Sequence, residues 1–367
     1  MTQISKLRRA LTIGAVNLLV LAGLFLAVEG GSSLYLAWGE TAMEARAREA
    51  LAERLHTIHD GLLGWVNAPN VKIPDMYGPG LALDINGQGF RNDEDVTRRR
   101  PEGKVRVICS GDSFTLGYGV GNADAWCRRL SRLEGRIEAV NMGQGGYGVD
   151  QAFLWYRRDG TQYEHDAHVL ALVTADIERL RLTTFLGTPK PRLRVRDGKL
   201  ALEGVPVPSL PFYKPVLDFA SRLKVTEFIR RSLSAGSLPG GRLSDEETRA
   251  VLGAILAQLK ALNDAAGSLS VVLYLPVEGD YSGPDSDPWR EFLGAQAAAL
   301  GIEFIDLVEP FRALPADAVP GLFIQKAIPG FLDSKGHYTV RGNAFVAERL
   351  LKSLVALARF RDRLAGP

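Results

Sequence analysis

The chain has 367 residues, 46% of them hydrophobic and 23% charged, a profile that suits one large folded domain with additions. It excludes a disordered chain, a collagen and a multi-span transporter. With 44 basic against 42 acidic residues the net charge is +2, so no broad basic surface for nucleic acid is implied. Two cysteines, Cys109 and Cys127, build neither a disulfide framework nor a four-thiolate zinc site. The histidine pairs His56/His59 and His165/His168 read as solvated surface residues rather than metal ligands.

Ala10 to Val28 carries no charge; Lys6, Arg8 and Arg9 precede it and Glu29 closes it. About 20 apolar residues span a bilayer. The basic flank puts the N-terminus in the cytoplasm and residues from about 39 onward outside. A cleaved signal peptide is the rival reading, but no A-x-A site follows the run, so an uncleaved single-pass anchor in the inner membrane is expected. Thr41 to Leu62 then reads as a stalk helix, with Ala47, Leu51, Leu55, Ile58 and Leu62 at helical spacing. Residues 65–89 are rich in breakers and read as loops with short strands. Thr97-Arg98-Arg99-Arg100-Pro101 reads as a solvated linker.

A regular alternation begins at Val105. Strands are expected at Val105–Cys109, Ile137–Met142, Val169–Val173, Ser270–Leu275 and Glu303–Leu307. Helices are expected at Asp124–Leu133, Val149–Arg158, Ser244–Ala266, Pro288–Leu300 and Val340–Ala358, the third opened by the capping box Ser244-Asp245-Glu246-Glu247. The pattern breaks over about 179–240, which reads as an insertion. It holds a hairpin over Arg192–Val205 turning at Asp197-Gly198, a basic helix near Leu217–Leu233 and a Gly/Ser/Pro linker at 234–241. Strands alternating with helices predict an α/β fold: a doubly wound, flavodoxin-like, parallel five-stranded sheet. The expected organisation is an anchor at 1–38, a stalk and lead-in at 39–100, and a main domain at 101–367.

Ligands in such folds bind beyond the carboxyl ends of the strands. Three unusual segments fall there: Gly111-Asp112-Ser113-Phe114 after the first strand, Gly143 to Gly148 after the second, and Asp333-Ser334-Lys335-Gly336-His337 before the last helix. Serine needs a base to become a nucleophile, histidine has the right pKa to be one, and an acid fixes the imidazole. Ser113, His337 and Asp333 supply these types, with the backbone N–H groups of Ser113 and Gly146 as candidate oxyanion donors. Asp306, at the end of the fifth strand, is the runner-up acid, or else a strand-end cap. Tyr118, Tyr147 and Trp126 are either sugar-lining aromatics or core. Cys109 reads as a small buried residue.

The Gly111–Thr115 segment resembles the nucleophile block of the SGNH (GDSL-type) hydrolases. Asn141–Gly148 is similar to that family's second block, with Gly146 at the oxyanion glycine, and Asp333…His337–Asn343 is similar to its last block. Asn86-Gly87-Gln88-Gly89-Phe90-Arg91 resembles a lead-in of membrane-anchored bacterial members linked to exopolysaccharide. The sequence departs from the family where Val173-Thr174-Ala175-Asp176 puts Ala175 at the asparagine that donates to the oxyanion. The resemblance implies a serine esterase without metal or organic cofactor, facing the periplasm. Its implied substrate is an O-acyl, foremost O-acetyl, group on an exported or cell-surface polysaccharide, with exopolysaccharide assembly proteins as partners. Two other readings stand beside it: an O-acetyltransferase using the same triad, and a degenerate glycan-binding component.

Overall fold

The computed structural model describes residues 3–37, 55–186, 188–209, 242–328 and 334–366. The first part of the expected stalk helix (41–54), the expected basic helix near 217–233, the linker at 234–241 and Asp333 lie outside the described residues. The chain forms two compact units, Met1–Ala45 with Leu210–Gly241, and Arg46–Ser209 with Arg242–Pro367.

In the first unit, helix α1 spans Gln3–Ala37. Its stretch Leu11–Ser32 has a mean hydropathy of 2.4 and is long and apolar enough to cross a membrane. At 1.5 Å per residue those 22 residues reach about 33 Å, close to the thickness of bilayer hydrocarbon.

The second unit is built on five parallel strands: β1 (Val105–Gly111), β2 (Ile137–Gly143), β3 (Ala167–Leu172), β4 (Leu269–Tyr274) and β5 (Glu303–Asp306). Their spatial order is β2-β1-β3-β4-β5, the flavodoxin-like order. Every residue of β1 is buried, which is why it reads as an apolar run rather than an alternation. Its side chains still alternate between faces. Val105, Val107 and Cys109 join a core completed by helix α3 (Trp126–Leu133) and the last long helix (Val340–Ala356). Ile108 joins a core on the opposite face with helices over Val149–Arg158, Asp245–Ala265 and Asp287–Leu300. The expected capping box is present: Ser244 N–H donates to Glu247 Oε2 at 2.8 Å and Glu247 N–H to Ser244 Oγ at 3.1 Å.

The insertion hairpin pairs Arg192–Arg196 with Lys199–Glu203. Its turn residues Asp197 and Gly198 have φ of 51° and 72°, the left-handed pair that a two-residue hairpin turn requires.

One element differs from expectation. Thr57–Asp60 is a strand paired with Gly64–Asn67, not the end of a stalk helix. Asp60 Oδ1 accepts the N–H groups of Leu62 and Leu63 at 2.8 Å each, and Gly64 takes φ 89°, so a tight turn closes where the helical spacing of apolar residues continues.

The histidines are a second correction: His56, His165 and His168 are buried. His168 Nε2 lies 2.7 Å from Ser110 Oγ, and the Tyr156 ring stacks on His168 with centroids 3.4 Å apart. His165 Nε2 lies 2.8 Å from Tyr156 Oη. Burial pushes both imidazoles below their ordinary value of 6.5, and His165 lowers His168 further. The unfolded chain takes up protons near 6.5 while the folded chain does not. The stability gained from burying neutral imidazoles is therefore held above that pH and lost as pH falls below it. His168→Gln is expected to make the denaturant midpoint less sensitive to acid between about pH 7 and pH 5. A variant as acid-sensitive as the wild type would contradict this reading.

Candidate active site

Strand β1 ends at Gly111, and the chain turns at once into the short helix α2 (Ser113–Leu116). Asp112 caps it, its Oδ1 accepting the Phe114 N–H at 2.8 Å. Gly143, at the end of β2, lets α2 come close: a Cβ there would sit 2.0 Å from the Leu116 nitrogen. Asn141 ties the two segments, donating to Thr115 O at 2.8 Å and accepting the Gly143 N–H at 2.8 Å. The far end of α2 is held by Arg91 from the lead-in motif. Its fully buried guanidinium donates to Leu116 O, Gly117 O and Val120 O at 2.5 Å each and to Asn122 Oδ1 at 2.8 Å. Burial pushes the Arg91 pKa down from its ordinary value.

Ser113 is 6% exposed, and its Oγ lies 2.8 Å from His337 Nε2. The two residues are 224 positions apart in the chain, and the fold brings them together. His337 is held from several sides. Its carbonyl accepts the Ile324 N–H at 2.8 Å, its N–H donates to Ser334 O at 3.1 Å, and its ring stacks on Phe114 at 4.6 Å and tilts against Tyr118 at 5.1 Å.

The glycine loop lies beside this pair. Gln144 N–H donates to Gly111 O at 3.2 Å, and Trp65 Nε1–H donates to Gly145 O at 2.9 Å. Gly146 takes φ 75°, and a Cβ there would meet the Phe185 ring at 2.6 Å, so glycine is required on both counts. Among the described residues, no hydrogen bond uses the Gly146 N–H.

Helix α5 (Thr174–Leu180, after α4 at Val149–Arg158) opens behind β3. Ala175 is exposed there and brings no side-chain donor. The neighbouring Thr174 hydroxyl is paired with the Tyr274 hydroxyl at 2.8 Å. Asp176 is buried and accepts the Val173 N–H at 3.0 Å. Burial, and then the nearby Asp112 charge, raise its carboxyl well above the usual carboxylate range.

Asp306 takes the capping role. Its Oδ1 accepts the Val308 N–H at 2.8 Å and its Oδ2 the Arg290 Nε–H at 2.8 Å. Trp126, Tyr118 and Tyr147 are core rather than sugar-lining: all are buried, and Tyr147 Oη donates to Trp65 O at 2.6 Å. The half-buried aromatics beside Gly146 are Trp65 and Phe185, which the sequence did not single out. Cys109 and Cys127 are free and buried, and burial pushes the Cys109 thiol up. Among the described residues no group of three His, Cys, Asp or Glu could hold a metal ion.

No family model and no curated protein matches the chain. Solved structures do. A lipolytic protein of the G-D-S-L family from Veillonella parvula is 16% identical, with 69% of this chain and 100% of that chain covered and a TM-score of 0.38. A catalytic mutant of an acetylxylan esterase from Geobacillus stearothermophilus is 14% identical over 70% of this chain and 95% of that one, with a TM-score of 0.38. An α/β hydrolase from the metagenome of Lake Arreo is 14% identical over 69% and 94%, with a TM-score of 0.40.

Proposed function

We propose that the protein is a serine esterase that removes O-acyl groups, O-acetyl foremost, from an exported or cell-surface polysaccharide. The observation that carries this reading is the 2.8 Å contact between Ser113 Oγ and His337 Nε2 at the carboxyl edge of a parallel sheet. Ser113 Oγ attacks the ester carbonyl while its proton passes to His337 Nε2. The tetrahedral intermediate collapses, the sugar alkoxide leaves with that proton, and the acyl group stays on Ser113. Water repeats the sequence: its oxygen attacks the acyl carbonyl as His337 Nε2 takes its proton, and as the acyl–serine bond breaks that proton returns to Ser113 Oγ and the carboxylic acid departs. Asp333 is assigned the role of orienting His337. The N–H groups of Ser113 and Gly146 are assigned to the oxyanion, which leaves the site without the side-chain donor that Ala175 lacks. Helix α1 is the single-pass anchor, with the esterase unit on the periplasmic side and export-assembly proteins as its neighbours.

The test uses the full chain in detergent with p-nitrophenyl acetate and with an O-acetylated polysaccharide, in the presence and absence of a free oligosaccharide. Acetate release that Ser113→Ala and His337→Ala both stop is the expected result. Acetyl appearing on the oligosaccharide in place of free acetate would make the protein a transferase. Glycan binding with neither product would make it a binding component.

A further inference from the structure

Arg179 stands where the sequence pattern breaks into the insertion, yet it belongs to α5 and faces the nucleophile turn. Its Nη1 lies 3.0 Å from Asp112 Oδ2, 3.2 Å from Tyr147 O and 2.5 Å from Asp176 Oδ1. These acceptors come from three separate segments: the residue before Ser113, the glycine loop, and the first turn of α5. Asp112 and Asp176 are 1% and 2% exposed, so the guanidinium is a cation set between two buried carboxyl groups. The Phe185 ring covers it, with Cζ 5.2 Å from the ring centroid.

Asp112 Oδ2 also faces the serine. It is 3.4 Å from Ser113 Oγ, against 2.8 Å from that oxygen to His337 Nε2. Asp112 is therefore a rival acceptor for the serine proton. A cation on Oδ2 weakens that rival and keeps the carboxylate in its capping position.

We propose that Arg179 is a positioning residue for the nucleophile: by engaging Asp112 Oδ2 it directs the Ser113 hydroxyl to His337, and by engaging Tyr147 O it fixes the glycine loop relative to the same turn. This inference rests on the serine-esterase reading. All three contacts come from one nitrogen, which carries only two hydrogens. A lysine ammonium has three donors and is able to serve the same acceptors.

The experiment compares Arg179→Met and Arg179→Lys in the full chain, reading kcat and KM on p-nitrophenyl acetate, the rate of Ser113 phosphonylation by a fluorophosphonate, and the melting curve. Arg179→Met is expected to lower kcat and the phosphonylation rate about 100-fold with KM within about threefold, the scale of a misplaced reacting group. Arg179→Lys is expected to return both to within about tenfold of wild type. Methionine keeps the apolar stem beside Phe185 without charge or donors, so a purely packing role predicts an active Arg179→Met, and that result overturns the proposal. A lysine variant that folds but is no better than methionine overturns it as well. Should Arg179→Met not fold, Arg179→Gln, which keeps a donor but no charge, takes its place with the same two outcomes. Failure of the esterase reading appears elsewhere, as a wild-type protein that forms no adduct on Ser113, and it removes the basis of the proposal.

Discussion

Replacing Ser113 or His337 by alanine is expected to lower kcat for ester hydrolysis at least about 10⁴-fold, and the double variant little further, because residues that act as one unit are not additive. The serine hydroxyl is poised only because His337 Nε2 stands 2.8 Å away. Remove the imidazole and the hydroxyl remains a weak nucleophile. Remove the hydroxyl and the imidazole has no proton to take. The folding cost of either change is small by comparison. Ser113 Oγ gives up a 2.8 Å contact with His337 and a longer one, 3.4 Å, with Asp112, and His337, half-buried, keeps its backbone hydrogen bonds in the alanine variant. Turnover measured beside a melting curve checks this. Comparable loss of melting temperature and activity would mean that the two residues serve the fold.

Arg91→Met is the second large effect, and it falls on stability. Four oxygens at the end of α2 and on the segment after it converge on this buried guanidinium: Leu116 O, Gly117 O, Val120 O and Asn122 Oδ1. Methionine keeps the apolar stem as far as the position of Nε but supplies none of the guanidinium's donors. Buried acceptors left unmatched cost about 1–3 kcal/mol each, partly recovered by relaxation. A loss of more than about 3 kcal/mol of unfolding free energy is therefore expected, in the range reserved for broken buried networks. Because α2 hangs between Arg91 and Asn141, the variant should also lose activity under conditions where it is still folded. Urea unfolding followed by tryptophan fluorescence reads the first effect and residual esterase turnover the second. An unfolding free energy within about 1 kcal/mol of wild type would contradict the account.

Much of this was legible in the sequence for definable reasons. Strands buried on both faces write themselves as short apolar runs, so β1, β3 and β4 could be read directly, and the regular alternation with helices supplied β2 and the half-buried edge strand β5 and implied the parallel sheet. Ser113 and His337 were legible because each borders the carboxyl edge of that sheet. Side-chain environment was much less so. Trp126 sits beside a site segment in the sequence but is buried in the core, and Tyr118 is buried against the His337 ring. Trp65 and Phe185, far apart in the chain, flank Gly146 instead. His168 lies on a strand that is buried throughout, but nothing local announces that Ser110 will meet it. Arg91 and Arg179 were hidden for the same reason: an arginine reads as a surface residue until its acceptors are known, and theirs come mostly from other segments of the chain. The strand at Thr57–Asp60 was missed because helical spacing of leucines and isoleucine coincides there with a four-residue hairpin arm.

The central claim is that Ser113 is the nucleophile and His337 its base. The most direct measurement is intact-mass and peptide mapping of the full chain after reaction with a fluorophosphonate. One adduct is expected, on Ser113, absent in Ser113→Ala and formed far more slowly in His337→Ala. An unmodified Ser113, or an adduct that forms at an unchanged rate without His337, would contradict it.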